Sequence, residues 1–180
     1  MEICVYCSSK DNIEKIYGEV AKELGELIGK KKHNLVYGGT NIGLMKMVAE
    51  ATKENRGNVT GVLPKAFKHL AWNEETLLVE NLRHRNAEME IRSDAFVILP
   101  GGLGTLYEIF DIILAKQVGA HNKPIVILNT KNFYKNLLAH LDSMFQNKFA
   151  EEDHREFYHV VNTPKEAMDY IESYKVSSST

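Results

Sequence analysis

The segment with the clearest potential for chemistry is rich in glycine and ends in a carboxylate. The nine residues from Pro100 to Glu108 read P-G-G-L-G-T-L-Y-E and lie between a buried apolar run and a stretch of helical periodicity. Three glycines in four positions at the start of a helix can form a nest of backbone N–H donors, which suits an anion such as a phosphate. The segment is not a Walker A loop, because no Gly-Lys-Ser/Thr follows. It therefore predicts an anion-binding turn of another kind.

The carboxylate at the end of this segment, Glu108, has two interpretations. Thr105 and Glu108 have the spacing of a capping box, in which the glutamate only satisfies the backbone N–H of the threonine. A carboxylate beside an anion-binding turn could equally be catalytic, and the spacing does not decide between the two. We expect Glu108 in the first turn of the helix, where the helix dipole favours its ionised form. An ionised carboxylate serves better as a base or an electrostatic stabiliser than as a proton donor.

A basic stretch upstream offers a cationic partner for an anion. Arg85, Met89 and Arg92 are spaced i, i+4 and i+7 on a predicted helix and therefore share one face. The planar guanidinium of Arg85 can bind a phosphate through two parallel hydrogen bonds. A solvated basic face is the alternative, and the spacing alone favours it.

Two further turns follow predicted strands and could contact a ligand. Ser8 and Ser9 follow the first strand without the glycines of a G-x-G-x-x-G turn, which argues against a nicotinamide-dependent dehydrogenase. These serines could contact a ligand or cap the next helix. Gly38 and Gly39 follow the second strand and let the backbone approach a ligand, while Thr40 can cap the helix behind them. A tight structural turn would use the same residues.

The chain as a whole alternates short apolar runs with longer stretches of helical periodicity. This pattern predicts an α/β fold, a single Rossmann-like doubly wound domain with a parallel sheet and helices on both faces. In such folds ligands bind outside the carboxyl ends of the strands, which is where the three turns above lie. We assign residues 1–174 to the domain and 175–180 to a frayed tail. The predicted strands are Ile3–Cys7, Asn34–Tyr37, Val59–Leu63, Leu77–Val79, Ala95–Leu99, Ile125–Leu128 and His159–Val161, and the predicted helices cover about 13–30, 42–55, 83–92, 105–118, 132–146 and 164–173.

The predicted helix after the glycine-rich segment has a regular, mostly apolar stripe. Leu106, Ile109, Phe110, Ile113 and Gln117 fall at i, i+3, i+4, i+7 and i+11. Mostly apolar side chains therefore line one face of this helix.

The composition fits one globular domain. The chain has 180 residues, of which 44% are hydrophobic, and its net charge of -2 leaves no basic excess for a nucleic-acid backbone. No apolar run approaches the ~18 residues of a membrane span, and no secretory signal precedes the first strand, so we expect a cytoplasmic protein.

Cys4 and Cys7 spell C-x-x-C within a predicted strand, where they point to opposite faces and are expected in the core. The histidines lack clustered spacing, and we expect neither a metal nor a cofactor.

These motifs together resemble the LONELY GUY (LOG) family of cytokinin riboside 5′-monophosphate phosphoribohydrolases, whose members are often labelled lysine decarboxylases. The family signature P-G-G-x-G-T-x-x-E is matched in full from Pro100 to Glu108. The stretch from Arg85 to Met89 is similar to the family pattern R-K-x-x-M. Residues 37–45, 61–64 and 117–124 are similar to three further family motifs, and the resemblance runs from residue 3 to about residue 129.

The resemblance implies a Rossmann-like homodimer that has its site at the subunit interface. Its activity would be hydrolysis of the N-glycosidic bond of a nucleoside 5′-monophosphate to the free base and ribose 5-phosphate. Glu108 and Arg85 would be catalytic: Glu108 would stabilise an oxocarbenium-like state or activate water, and Arg85 would bind the phosphate or the reacting sugar. The implied substrate-binding residues are Ser8, Gly38, Gly39, Thr40, Met89, Pro100, Gly101, Gly102, Gly104 and Thr105.

The chain departs from the family pattern at a few positions close to this site. Asn86 replaces the usual lysine, and Arg83-His84 replaces His-Glu. Tyr107 stands where many members have glutamate, and Ala115 where many have tryptophan. These departures bear on the preferred base, adenine or a prenylated adenine, more than on hydrolysis itself.

Two other functions are compatible with the same pattern. A non-catalytic carrier of a nucleotide or of molybdenum cofactor would use a similar fold and similar anion sites, but it gains nothing from a carboxylate beside its phosphate. Lysine decarboxylation would need a lysine that forms a Schiff base with pyridoxal phosphate. Lys116 and Lys123, which we expect beside the site, lack a recognisable cofactor context.

Overall fold

The computed structural model describes residues 1–73 and 76–175, in which seven β-strands alternate with six α-helices. The strands are β1 (Glu2–Tyr6), β2 (Asn34–Tyr37), β3 (Val59–Pro64), β4 (Leu77–Val79), β5 (Ala95–Ile98), β6 (Ile125–Leu128) and β7 (His159–Val161). The α-helices are α1 (Lys15–Lys30), α2 (Gly43–Glu54), α3 (Leu82–Ile91), α4 (Leu103–Gln117), α5 (Lys135–Gln146) and α6 (Pro164–Ser173), and short 3₁₀ helices cover Lys65–Leu70, Thr130–Asn132 and Glu152–Phe157. None of these helices is both long enough and apolar enough to cross a bilayer.

The strands form one parallel sheet in the order β4-β3-β2-β1-β5-β6-β7. The central strand β1 pairs with β2 on one side and with β5 on the other, so the direction in which the chain builds the sheet reverses between β1 and β5. Such a topological switch point leaves a crevice at the carboxyl ends of its two strands. The doubly wound parallel fold predicted from the sequence is confirmed.

Helices cover both faces of the sheet, because the strand side chains alternate between two apolar clusters. On one face the sheet packs against α1, α2 and α6, and on the other against α3 and α4. Cys4 and Cys7 belong to opposite clusters, and both are buried free thiols. Burial raises the pKa of each thiol, which keeps both protonated and inert at neutral pH. They are core residues, as predicted.

The helix α4 begins two residues earlier than predicted, and polar side chains share its buried face. It starts at Leu103, with Gly102 as its N-cap. Of the predicted stripe only Ile109 is fully buried, whereas Leu106 and Ile113 lie half-buried at its margin. The residues that face inward are Thr105, Glu108, Ile109, Ile112 and Lys116. Ile109, Leu106 and Ile113 of the stripe pack into the cluster on the sheet. Thr105, Glu108 and Lys116 also take buried positions, which a hydrophobic pattern assigns to apolar side chains.

The other element boundaries agree with the prediction to within about three residues. The helix α5 begins late, at Lys135, because Lys131 and Asn132 have positive φ angles that separate it from the preceding 3₁₀ turn. The 3₁₀ helix Lys65–Leu70 has no predicted counterpart. The assignment of residues 1–174 to one domain stays a prediction, and residues 176–180 of the predicted tail lie outside the described residues.

Candidate active site

Three loops meet at the carboxyl edge of the sheet, and hydrogen bonds hold them together. The N–H of Ser8, after β1, donates to the carbonyl oxygen of Pro100, after β5, at 3.2 Å. The carbonyl oxygen of Ser8 accepts from the N–H of Leu44 in α2 at 3.0 Å. Oδ1 of Asp11 accepts from the N–H of Gly43, the first residue of α2, at 3.1 Å. The crevice at the switch point is therefore bounded by loops that are fixed to one another.

The glycines of the turn after β5 have different surroundings. A Cβ atom on Gly101 would overlap the side chain of Thr105, which packs against it. A Cβ atom on Gly102 or Gly104 would meet no described atom within 4 Å. Packing gives no reason for glycine at these two positions, whereas a ligand seated close to the backbone would need the space. The N–H groups of Leu103, Gly104 and Thr105 begin α4, have no acceptor within the helix and remain for such a ligand.

Glu108 does not cap α4. Because Gly102 is the N-cap, Thr105 and Glu108 occupy the third and sixth positions of the helix, and a capping box cannot form. The expectation that Glu108 lies in the first turn was wrong for the same reason, and the helix dipole acts mainly within that turn. Its side chain points inward and only 2% of the residue is exposed. The capping interpretation is therefore excluded.

Glu108 pairs with Arg85 between α4 and α3. Nη2 of Arg85 donates to Oε1 of Glu108 in a buried ion pair, and only 7% of Arg85 is exposed. The interpretation of Arg85 as part of a solvated face was therefore wrong. Nε of Arg85 and Oε2 of Glu108 are buried and have no hydrogen-bond partner among residues 1–73 and 76–175. Unpartnered buried polar atoms are costly, so two of them in one ion pair indicate groups held for a ligand.

The environment of Glu108 changes its protonation. Burial raises the pKa of Glu108 to about 7, although the charge of Arg85 acts in the opposite direction. The negative charge of Asp111, three residues further along α4, raises this pKa slightly more. A carboxyl group with a pKa near neutrality can accept and return a proton at physiological pH. Glu108 therefore has a capacity for proton transfer that the helix dipole alone does not predict.

Asn86 connects the ion pair to a second carboxylate. Nη2 of Arg85 donates to Oδ1 of Asn86 at 3.3 Å, and Nδ2 of Asn86 donates to Oδ2 of Asp111 at 3.0 Å. The sequence singled out Asn86 only as a departure from a family pattern and did not point to Asp111. The i, i+3 spacing of Glu108 and Asp111 on one helix is the signal that could have found it.

Some of the predicted site residues line a single cleft of about 230 Å³ at the switch point. The cleft brings together the predicted residues Ser8, Arg85, Gly102, Gly104, Thr105 and Glu108. Its other lining residues are Cys7, Ser9, Lys10, Met45, Leu82, Leu103 and Tyr107. Most of these residues are immediate sequence neighbours of a predicted site residue, and this adjacency could have identified them.

The other predicted residues lie outside this lining. Gly38 packs behind the site, where a Cβ atom would lie 3.4 Å from Nη1 of Arg85. Gly39 has a φ of 76°, which serves the turn after β2. Thr40 donates its hydroxyl to Sδ of Met45 at 3.1 Å instead of capping α2. The remaining residues are Met89, in the core, and Pro100 and Gly101, at the base of the glycine turn.

Tyr134 anchors the glycine turn and was missed in the sequence. Its hydroxyl donates to the carbonyl oxygen of Leu99 at 2.8 Å, and its backbone N–H donates to Oδ1 of Asn129 at 2.8 Å. The first of these bonds fixes the chain immediately before the turn. Because 35 residues separate Tyr134 from Leu99, no local pattern in the sequence indicates it.

Comparison with known proteins identifies the family. Residues 45–171 match the family described as "Possible lysine decarboxylase". The rice (Oryza sativa subsp. japonica) protein "Probable cytokinin riboside 5′-monophosphate phosphoribohydrolase LOGL6" is 37% identical over 176 residues, which cover 96% of this chain and 70% of the rice protein. The Arabidopsis thaliana protein "Cytokinin riboside 5′-monophosphate phosphoribohydrolase LOG5" is 34% identical over 177 residues, which cover 96% and 78% of the two chains. This chain belongs to the LOG family.

This LOG-family chain also has the same fold as a solved structure whose name describes a different function. The molybdenum cofactor carrier protein MCP from Chlamydomonas reinhardtii matches it with a TM-score of 0.73 over 95% of each chain, at 23% sequence identity. At this identity the likeness shows the fold alone, because one fold hosts many functions. Function must therefore be argued from the site.

In this LOG-family protein the lysines considered for a pyridoxal phosphate site lie away from the cleft. Lys116 is near the far end of α4, and Lys123 precedes β6 at the amino edge of the sheet. Nζ of Lys116 donates to the carbonyl oxygen of Lys123 at 2.9 Å, and Nζ of Lys123 donates to that of Glu90 at 2.6 Å. The expectation that they adjoin the site was wrong because α4, roughly 20 Å long, runs away from it. Among the residues described, no three His, Cys, Asp or Glu side chains could hold a metal ion.

Proposed function

We propose that this protein hydrolyses the N-glycosidic bond of a purine nucleoside 5′-monophosphate, of the AMP or cytokinin type, to the free base and ribose 5-phosphate. The observation that carries the proposal is the buried pair of Arg85 and Glu108, which has two unpartnered polar atoms and lines the same cleft as an open glycine turn. The names of the rice and Arabidopsis relatives describe the same class of reaction.

The glycine turn supplies the phosphate site. The first N–H groups of α4 and the positive end of its dipole favour a dianion in the space beside Gly102 and Gly104. Lys10 lines the same cleft and adds a positive charge. A phosphate held there brings the attached ribose towards Glu108, which lies on the same helix one turn after the phosphate-binding residue Thr105.

Glu108 acts on the water that attacks the sugar. Positive charge develops at C1′ of the ribose as its bond to the base nitrogen lengthens. Oε2 of Glu108 accepts a proton from water while the water oxygen bonds to C1′. The electron pair of the C1′–N bond leaves with the base, which takes up one proton, so the reaction consumes one water. Arg85 holds Oε1 of Glu108 throughout and fixes the direction of Oε2.

A carrier of an anionic ligand is the alternative function, and the charge of the site disfavours it. A carboxylate weakens the binding of a nearby phosphate, but it stabilises the cationic transition state of glycosidic cleavage. The buried position of Glu108 strengthens both effects, because water does not screen its charge. Catalysis therefore accounts for Glu108 and storage does not.

Product analysis of three proteins tests the proposal. The wild type, Glu108→Gln and the control Glu151→Gln, which changes an exposed glutamate, are incubated with AMP and with isopentenyl-AMP. Free base and ribose 5-phosphate are measured by chromatography. We expect release by the wild type and the control, and a loss on the order of 10² or more in Glu108→Gln. A wild type that binds nucleotides without releasing base from any of them would support the carrier instead.

We also infer that two copies of this chain form the active unit and that each copy completes the site of the other. Leu103 and Leu114 of α4 are 86% and 55% exposed, Val118 immediately after α4 is 78% exposed, and Leu82 of α3 is 44% exposed. Leu82 and Leu103 also line the cleft. A second copy seated on this apolar face would bury these side chains and add a wall to the cleft.

A further inference from the structure

One carboxylate contacts the guanidinium of Arg85, and a second is linked to it through the side chain of Asn86. Nη2 of Arg85 contacts Oε1 of Glu108, and Asp111 lies on the other side of the Asn86 side chain. The amide of Asn86 spans this gap, with bonds of 3.3 Å to Arg85 and 3.0 Å to Asp111. A guanidinium near two carboxylates can pair with either of them. Whether Oε1 of Glu108 is held in place depends on which of the two carboxylates pairs with the guanidinium of Arg85.

Asn86 can make its two bonds in one orientation only. Its oxygen accepts from the guanidinium and its NH₂ group donates to the carboxylate of Asp111. After a flip of the amide, NH₂ would face a donor and the oxygen would face an acceptor, so both bonds would be lost. Because Asn86 is buried, water could not replace them. Asp111 therefore orients the amide, and the amide in turn orients Arg85.

We propose that Asn86 is a positioning residue, which keeps Asp111 from pairing with Arg85 and so commits Nη2 of Arg85 to Glu108. This inference rests on the proposed function, because its effect is measured on glycosidic cleavage. Asn86 is also a departure from the LOG-family pattern, which has lysine there. A lysine could donate to Asp111, but it could not accept a hydrogen bond from Arg85.

The arrangement makes activity depend on the charge of Asp111. Two charged groups act on Glu108, namely Arg85 from α3 and Asp111 from its own helix. Four thiols and phenols also interact with it: Cys4 and Tyr6 from β1, Cys7 immediately after β1, and Tyr134 immediately before α5. Burial raises the pKa of each of these thiols and phenols, so they stay uncharged at neutral pH. Arg85 lowers the pKa of Glu108 and Asp111 raises it, beside the larger effect of burial, while Lys10 lines the same cleft.

A double-mutant cycle tests the positioning role. The cycle compares four proteins, which are the wild type, Asn86→Leu, Asp111→Asn and the double variant. For each of them, the pH profile of kcat/KM and its maximum value, the plateau, are measured on the nucleotide that the wild type cleaves. We expect Asn86→Leu to lower the plateau at least tenfold, because Arg85 turns towards Asp111. The double variant should be at least threefold more active than Asn86→Leu, because no second carboxylate then competes. Asp111→Asn alone should move the acid limb of the profile to lower pH.

Asn86→Lys keeps the test decisive if Asn86→Leu does not fold, as judged by circular dichroism. Its ammonium group can pair with Asp111 in place of the amide, so we expect Asn86→Lys to keep at least a third of the wild-type plateau, and a plateau tenfold lower would overturn the proposal. A double variant no more active than Asn86→Leu would overturn it as well. Each of these results would leave the proposed function intact, because the wild type still cleaves nucleotides. A wild type that releases no base contradicts both the proposed function and the positioning role.

Discussion

The side chain of Thr105 occupies the space beside Gly101 in which a Cβ atom would lie. Glycine is therefore required at position 101 by the packing of the protein itself. Gly102 and Gly104 have no such neighbour among the described atoms. The turn thus contains one glycine that packing requires and two that leave room for a ligand.

Replacing Gly104 by alanine tests whether this room holds the substrate phosphate. Gly104 is the second residue of α4, and alanine stabilises a helix by up to about 1 kcal/mol relative to glycine. We expect Gly104→Ala to retain or raise the free energy of unfolding, measured by urea denaturation. Its methyl group would enter the phosphate space, and we expect kcat/KM to fall at least tenfold, mainly through KM.

Gly101→Ala is the matched control for this variant. Its methyl group would overlap Thr105, so we expect a lower free energy of unfolding as well as lower activity. Unchanged KM in Gly104→Ala would contradict the location of the phosphate.

Removal of the 5′-phosphate from the substrate should nearly abolish turnover. Hydrogen bonds to a charged group contribute about 1.5–3 kcal/mol each, so the loss of two or three corresponds to a factor on the order of 10³ or more. We expect kcat/KM on adenosine to be lower than that on AMP by at least this factor, as measured by the release of adenine. Comparable rates on the two compounds would contradict a phosphate site at the start of α4.

The sequence was sufficient to predict the sheet and the position of the cleft, because both follow from local patterns. Continuous apolar runs such as the one at 95–99 indicate buried parallel strands, and glycine after a strand indicates a turn at the carboxyl edge. The pairing of Arg85 with Glu108 does not follow from such patterns, since 23 residues and a strand separate them. The family resemblance supplied that association.

The details that decide the chemistry could not be predicted. Burial sets the pKa of Glu108, and burial depends on which face α4 turns to the sheet. The apolar stripe does not indicate this burial, because Thr105 and Glu108 are buried while Leu103 and Leu114 are exposed. Polar residues that face inward and apolar residues that face outward are typical of a functional surface, where local patterns and tertiary structure conflict.

Burial of Glu108 should make stability depend on pH. Burial raises its pKa from 4.5 to about 7, so the folded protein holds this proton more tightly than the unfolded chain. The resulting stabilisation is fully present below the lower pKa and is lost as pH rises through the higher one, an effect of about 3 kcal/mol. We therefore expect the wild type to lose stability relative to Glu108→Gln between about pH 5 and pH 8.

Urea denaturation of both proteins across this range measures the effect. All other groups titrate in both proteins, so their contributions cancel in the difference between the two unfolding free energies. A difference that does not change with pH would show that Glu108 keeps an ordinary pKa in the folded protein.

The apolar face of α4 predicts that activity depends on the association of two copies. Leu114 is 55% exposed and does not line the cleft, so Leu114→Asp should disturb association without touching the site directly. We expect a monomer in sedimentation analysis and a loss of activity of at least tenfold, because a buried unpaired carboxylate opposes association and the cleft then lacks its second wall. Val160→Asp, a similar change on the edge strand β7, should retain both association and activity. A fully active monomer would contradict the shared site.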